Sequence, residues 1–119
     1  MRERLAGDPR VTPFRRRVYE ALLEVPRGRV TTYARLARRV GCRSAQAVGG
    51  ALRENPFAPE VPCHRVVAAD LSLGGFCGCR SGEPLRRKRA LLESEGVALD
   101  AGGRVEDARC VWAWEREAR

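Results

Sequence analysis

Residues 61–67 read VPCHRVV, and three of the seven carry chemistry. Cys63 is a nucleophile, His64 is a base near neutrality and the only histidine of the chain, and Arg65 is a permanent cation. A thiol is mostly protonated at neutral pH. A neighbouring base or positive field converts it to the thiolate, which attacks electrophilic carbon readily. Val61, Val66 and Val67 surround the trio with apolar surface, so the reactive group sits in a stretch built for burial. On an extended strand, successive side chains point to opposite faces. Cys63 and His64 therefore cooperate only if the chain turns between them or a water bridges them, and Pro62 restrains the approach to that turn. Taken alone, the pair has two readings: a nucleophile with its base, or two core residues.

The elements that position this segment follow from the pattern around it. The chain has 119 residues, enough for one domain with a modest core. The first eleven, with Gly7 and Pro9, are expected to form a flexible arm. From Thr12 the pattern is helical, with Pro13 in the first turn and Phe14, Val18, Ala21, Leu22 and Val25 on one face. PRGRV (26–30) breaks it. Thr31 or Thr32 caps a second helix facing inward with Tyr33, Leu36, Ala37 and Val40, and Gly41 stops it. Ser44 caps a third, with Ala45, Val48, Ala51 and Leu52 inward, ended by Asn55-Pro56. These two short helices make a helix-turn-helix. Gly49 and Gly50 inside the second cost roughly 1 kcal/mol each relative to alanine. Close approach of another backbone, DNA or a neighbouring helix, is the usual compensation. After the Cys63 segment come a glycine-rich loop, SLGGFCGCRSGEP, and a last helix at about 84–95. The tail then folds back through Val111, Trp112 and Trp114.

Charge narrows the partners. Lys and Arg number 23 against 15 Asp and Glu, a net +8, and Lys88 is the only lysine. A small arginine-rich domain meets nucleic acid more often than anionic lipid, and no segment has the pattern of a membrane-surface helix. No apolar run approaches a membrane span and no signal segment is read at the N-terminus, so no membrane partner and an intracellular location are expected: cytoplasmic and nucleoid-associated in a prokaryote, nuclear in a eukaryote. The five cysteines are odd in number and include no C-x-x-C pair, which argues against a disulfide framework and against zinc. No metal and no cofactor are expected.

PCHRV, preceded by AVGGALRENP and before that by TTYARLA, resembles the O6-alkylguanine-DNA alkyltransferase family, also called methylated-DNA–protein-cysteine methyltransferases. The resemblance runs from about Phe14 to Gly96 with its motifs in order. It implies a mainly α fold: a winged-helix-like, helix-turn-helix alkyltransferase active-site domain, with a short β element near the active site and the C-terminus. Residues 1–119 would form this single DNA-binding domain, monomeric, entering the minor groove of double-stranded DNA. The damaged nucleotide is rotated out of the stack, because its alkyl carbon is out of reach of a buried thiol while stacked.

By resemblance, Cys63 is the alkyl acceptor, His64 the base that activates it through water, and Glu95 the carboxylate that orients the histidine. Asn55 is the hinge that ties the recognition helix to the active-site segment. Arg65 anchors the site. Tyr33 matches the tyrosine that crowds the target phosphate and can hydrogen-bond the extruded purine, and it can serve as a core aromatic of its helix as well. The carbonyls of Cys63 and Val66 accept from the guanine amine. Phe76 and Cys77 belong to the pocket wall. Gln46, Ala47, Gly49 and Gly50, with Arg43 and Arg53 at the flanks, form the DNA face.

Three departures bear on function. Gln46 stands where the family places its extrusion arginine. The additional N-terminal domain of most active members is read as absent. The longer stretch after the pocket loop resembles the alkyltransferase-like proteins, which bind alkylated DNA and hand it to excision-repair proteins but carry tryptophan in place of the cysteine. The favoured expectation is a single-turnover methyltransferase that repairs O6-alkylguanine by irreversible transfer to Cys63. The alternative is a non-enzymatic lesion sensor that recruits excision repair. A plain helix-turn-helix regulator would leave Cys63, His64 and Glu95 without a purpose.

Overall fold

The computed structural model describes residues 1–74, 82–112 and 114, with Arg2 described by its backbone alone. Among the described residues, five α-helices carry the fold: α1 (Arg2–Gly7), α2 (Pro13–Leu22), α3 (Tyr33–Arg39), α4 (Ala45–Arg53) and α5 (Glu83–Ser94). Three of them start where a hydroxyl can satisfy an orphan amide. Thr12 accepts from the Arg15 amide at 3.2 Å, Thr32 from the Arg35 amide at 3.1 Å and Ser44 from the Ala47 amide at 3.0 Å. Gly41, at φ +74°, turns the chain between α3 and α4 in a conformation that favours glycine.

Helices α2, α3 and α4 pack on one another around Val18, Leu22, Leu36, Val48 and Ala51. Tyr19 is fully buried, and its hydroxyl donates to the Ala51 carbonyl at 2.6 Å, tying α2 to α4. A second cluster, with Val30, Val67, Leu92, Val97, Leu99 and Val105, fills the space beside α5. Between the clusters lies a small sheet. Strand β1 (Thr31–Thr32) pairs in parallel with β2 (Val66–Val67), Thr31 opposite Val66. On the other side of β1, Val30 bridges Val111, with the Trp112 amide donating to the Val30 carbonyl at 2.6 Å. Residues 99–105 turn back on themselves through an antiparallel Leu99–Val105 bridge, the wing of the domain. Trp114 closes the edge of the core, its indole N–H donating to Glu24 at 2.7 Å.

Two expectations need correction. The first eleven residues are not a free arm: α1 lies on α2, and Leu5 is 1% exposed within the main core cluster. A six-residue helix has no stability of its own, so this burial is what holds it. Ala45 does not face inward; at the first turn of α4 it is exposed, and burial begins at Val48.

Leu5→Ala should therefore lower the unfolding free energy by about 2 kcal/mol, the low end for a buried leucine because α1 can detach locally. Urea denaturation checks this. A loss below about 0.5 kcal/mol, the range of surface substitutions, would mean that α1 contributes no core.

Candidate active site

The segment between α4 and Cys63 is a closed turn, and Asn55 closes it. Its Oδ1 accepts from the Phe57 amide at 2.9 Å, and its Nδ2 donates to the Val61 carbonyl at 2.9 Å. The Val61 amide donates to the Phe57 carbonyl and the Cys63 amide to the Val61 carbonyl. Asn55 thus fixes the path of the chain from α4 to the thiol. After Pro62 the chain enters a single 3₁₀ turn, Cys63–Arg65, before β2. A 3₁₀ turn advances about 120° per residue, so Cys63 and His64 escape the opposed geometry of a strand.

The last residue of this turn and the end of α5 are locked together. Glu95 accepts from Arg65 Nε at 2.9 Å through one carboxylate oxygen and from Arg65 Nη2 at 2.8 Å through the other. The second oxygen also faces His64 Nε2 at 2.9 Å. Arg65 Nη1 donates to the Val25 carbonyl at 2.8 Å, linking the network to the turn after α2. Backbone fit supports it: a Cβ on Gly28 would sit 3.1 Å from the Glu95 carbonyl oxygen, so PRGRV is also the bed on which the end of α5 rests.

This arrangement decides the histidine's tautomer. An ionised carboxylate only accepts, so the proton between them sits on Nε2. Nδ1 then carries the lone pair; it is buried and has no hydrogen-bond partner among the described residues. Burial pushes the His64 pKa below its ordinary 6.5, outweighing the pull of Glu95, so the ring is neutral at pH 7. Burial pushes Glu95 up, but the hydrogen bonds from Arg65 and His64 win and hold it below the ordinary carboxylate range. The result is a neutral base with its free nitrogen fixed, one residue from a buried thiol.

Lys88 is the residue that sequence reasoning missed. It lies on the inner face of α5, three residues after Leu85 and four before Leu92, and is fully buried. Its ammonium donates to the Val66 carbonyl at 2.6 Å and to the Leu73 carbonyl. Burial lowers its pKa from 10.5 to about 8, against a favourable interaction with the Cys63 sulfur. It remains charged at pH 7, and the ammonium and a Cys63 thiolate stabilise each other. The available signal was a lone lysine among 22 arginines at an apolar helical position. A buried guanidinium would have had to stay fully charged.

The model of the DNA-binding domain of 6-O-methylguanine DNA methyltransferase matches residues 13–97, which hold every residue of this network. The chain belongs to this family. The methylated-DNA–protein-cysteine methyltransferase of Methanothermobacter thermautotrophicus is 40% identical over 89 residues, 75% of this chain and 47% of that protein. The crystal structure of Mycobacterium tuberculosis OGT in complex with DNA superposes with a TM-score of 0.63 at 45% identity, covering 71% of this chain and 50% of that one. Schizosaccharomyces pombe Atl1, solved in complex with damaged DNA containing O6-carboxymethylguanine, superposes with a TM-score of 0.72 at 29% identity, covering 85% of this chain and 95% of that one. The chain thus spans about half the length of the methyltransferases it matches.

The family's other positions fall into two groups. In the first, Tyr33 opens α3, half-buried, with its ring against Gly74; a Cβ on Gly74 would sit 3.4 Å from Tyr33 Cε2. The Cys63 carbonyl accepts from the Val66 amide and the Val66 carbonyl from Lys88, which leaves each one lone pair. Phe76 and Cys77 lie outside the described residues. On α4, Gln46, Ala47 and Arg53 are exposed, as is Arg43 before the helix. Arg43 and Arg53 form no ion pair among the described residues, whereas Arg4, Arg10, Arg16, Arg86, Arg104 and Arg109 each face a carboxylate. Nothing lies within 4 Å of a Cβ placed on Gly49 or Gly50. No described residue of this chain exploits these glycines, so helix packing does not explain them.

Acidification should weaken the fold in two stages. His64 is held neutral when folded but takes up a proton near 6.5 when unfolded, so stability falls as the pH drops below 6.5 and levels off below the lowered folded value. The contribution of Glu95 is fully present above its ordinary value near 4.5 and is lost as the pH falls through its lowered folded value. Urea unfolding between pH 7 and 4, below the titration of Lys88, should show this decline set in near pH 6.5. Constant stability down to pH 5 would contradict the burial of a neutral histidine.

Proposed function

We propose that this protein repairs O6-alkylguanine in DNA by moving the alkyl group onto Cys63, once per chain. The observation that carries the reading is the His64–Glu95–Arg65 network beside a buried thiol, with His64 Nδ1 left available as a base. The thiol proton passes to Nδ1, through a water or directly. The sulfur pair forms the S–C bond to the alkyl carbon while the C–O6 bond breaks and its electrons stay on the guanine, which takes up one proton. A thioether offers this relay no route to hydrolysis, so the acceptor is consumed.

Access to the alkyl carbon requires the nucleotide to leave the duplex. The DNA face that supports this is α4, where no described residue lies within 4 Å of a Cβ on Gly49 or Gly50 and where Arg43 and Arg53 form no ion pair among the described residues. We place it in the minor groove, the protein acting as a monomer. Gln46 then occupies the vacated stack. It brings two donors and one acceptor but no charge, so it supports extrusion less well than an arginine.

A second reading is favoured by one observation: the match to Atl1 covers 95% of that chain, against about half of the methyltransferases. In this reading the pocket binds the lesion without transfer and excision-repair proteins are the partners. Intact-protein mass spectrometry after incubation with O6-methylguanine duplex separates the two. Transfer adds one methyl per chain, located on Cys63 and absent in Cys63→Ala. Lesion-specific binding with no added mass sinks the enzyme and leaves the sensor.

The DNA face has its own test. Gly49→Ala and Gly50→Ala meet no clash within the protein, and each should raise helix stability by about 1 kcal/mol. Both should weaken DNA binding, because the added methyl stands where the duplex approaches. Gln46→Arg should speed transfer on duplex and leave single strands unaffected. Alanine variants that gain stability and keep full affinity would remove α4 from the interface.

A further inference from the structure

Residues 1–12 precede the stretch matched by the family model, yet their side chains reach the turn that delivers the thiol. Phe57, 4% exposed, is the side chain at the centre of the Asn55–Val61 turn. The guanidinium of Arg4 lies 5.3 Å from its ring centroid and that of Arg10 lies 5.5 Å away. Both distances are within cation–π range. Arg4 also reaches Glu60 of the same turn at 3.4 Å, and Arg10 is held by a two-pronged contact to Asp8. Leu5 shares one continuous buried cluster with Phe57, Val61 and Cys63. Two residues after Val61 comes the thiol.

We propose that the N-terminal segment is a positioning element for the acceptor turn, acting through Arg4 and Arg10 on Phe57; the inference rests on the alkyl-transfer reading. Asn55 closes the turn from inside with two hydrogen bonds, and the N-terminal cations hold its aromatic anchor from outside. Release of the anchor lets Val61, and with it Pro62 and Cys63, sample positions from which sulfur misses the alkyl carbon. The DNA face on α4 keeps its own packing, through Val48, Ala51 and Leu52. The segment therefore sets the rate of transfer and leaves lesion affinity alone.

The full chain is compared with Arg4→Gln/Arg10→Gln, with Phe57→Leu, which keeps apolar volume but has no ring, and with Arg4→Lys/Arg10→Lys, which keeps the cations. Hydrogen exchange at the Phe57 and Val61 amides is read beside the core amide of Val30. In the glutamine and leucine variants the turn amides should lose roughly five- to thirtyfold protection, the equivalent of one or two cation–π contacts, while Val30 changes less. The transfer rate at saturating lesion DNA should fall with Kd changed less than about twofold, and the lysine variant should restore both readouts. Combining the glutamine pair with Phe57→Leu should add nothing to either. Equal loss of protection at Val30, unchanged turn protection, or a change confined to Kd would overturn the proposal. A parent protein that transfers no alkyl group would sink the repair reading instead, and the exchange comparison would still stand or fall by itself.

Discussion

A single buried carboxylate organises the site. Glu95 receives both arms of Arg65 and the Nε2 proton of His64, while Arg65 extends to the Val25 carbonyl. Three parts of the chain meet there: the turn after α2, the 3₁₀ turn after Pro62 and the end of α5. The residues are 30 and 31 positions apart in sequence for the ion pair and the histidine contact, so the fold must be complete before the base is oriented. Removing one partner of such a pair leaves a buried charge, which is why the network is both an anchor and a chemical device.

The remainder of the structure serves to bring these ends together. Val30–Thr32 runs between the C-terminal segment at Val111 and the strand that follows the reactive turn. Lys88 fastens the Val66 and Leu73 carbonyls at the two ends of the loop beyond β2. It places positive charge near the sulfur without exposing it to solvent. A desolvated ammonium is costly, and its lowered pKa records that cost. The two carbonyl partners and the sulfur offset it.

Much of this was legible in the sequence. The caps at Thr32 and Ser44, the apolar spacing of α2 to α4 and the breaks at PRGRV and Gly41 are local signals, and local hydrogen bonds realise them. His64 was named from its place beside Cys63, but Glu95 only through family resemblance, since no spacing rule brings a histidine to a glutamate 31 residues away. The bidentate contact of Arg65 and the burial of Lys88 are tertiary facts. So is α1: a short charged stretch with glycine and proline has no helical stability until Leu5 finds the core. Ala45 shows the opposite limit, because a first-turn alanine fits the inward pattern yet remains exposed. Gly49 and Gly50 could be read as gaps for a helix or for DNA, and among the described residues no helix packs into them.

The network makes one claim that can be measured without DNA. Because the chain has a single histidine, the nitrogen shifts of its ring report His64 unambiguously. Two-dimensional ¹H–¹⁵N NMR of the folded protein at pH 7 should show a neutral ring protonated at Nε2, with Nδ1 bare. A ring protonated at Nδ1, or an imidazolium at that pH, would contradict the assignment of His64 as the base.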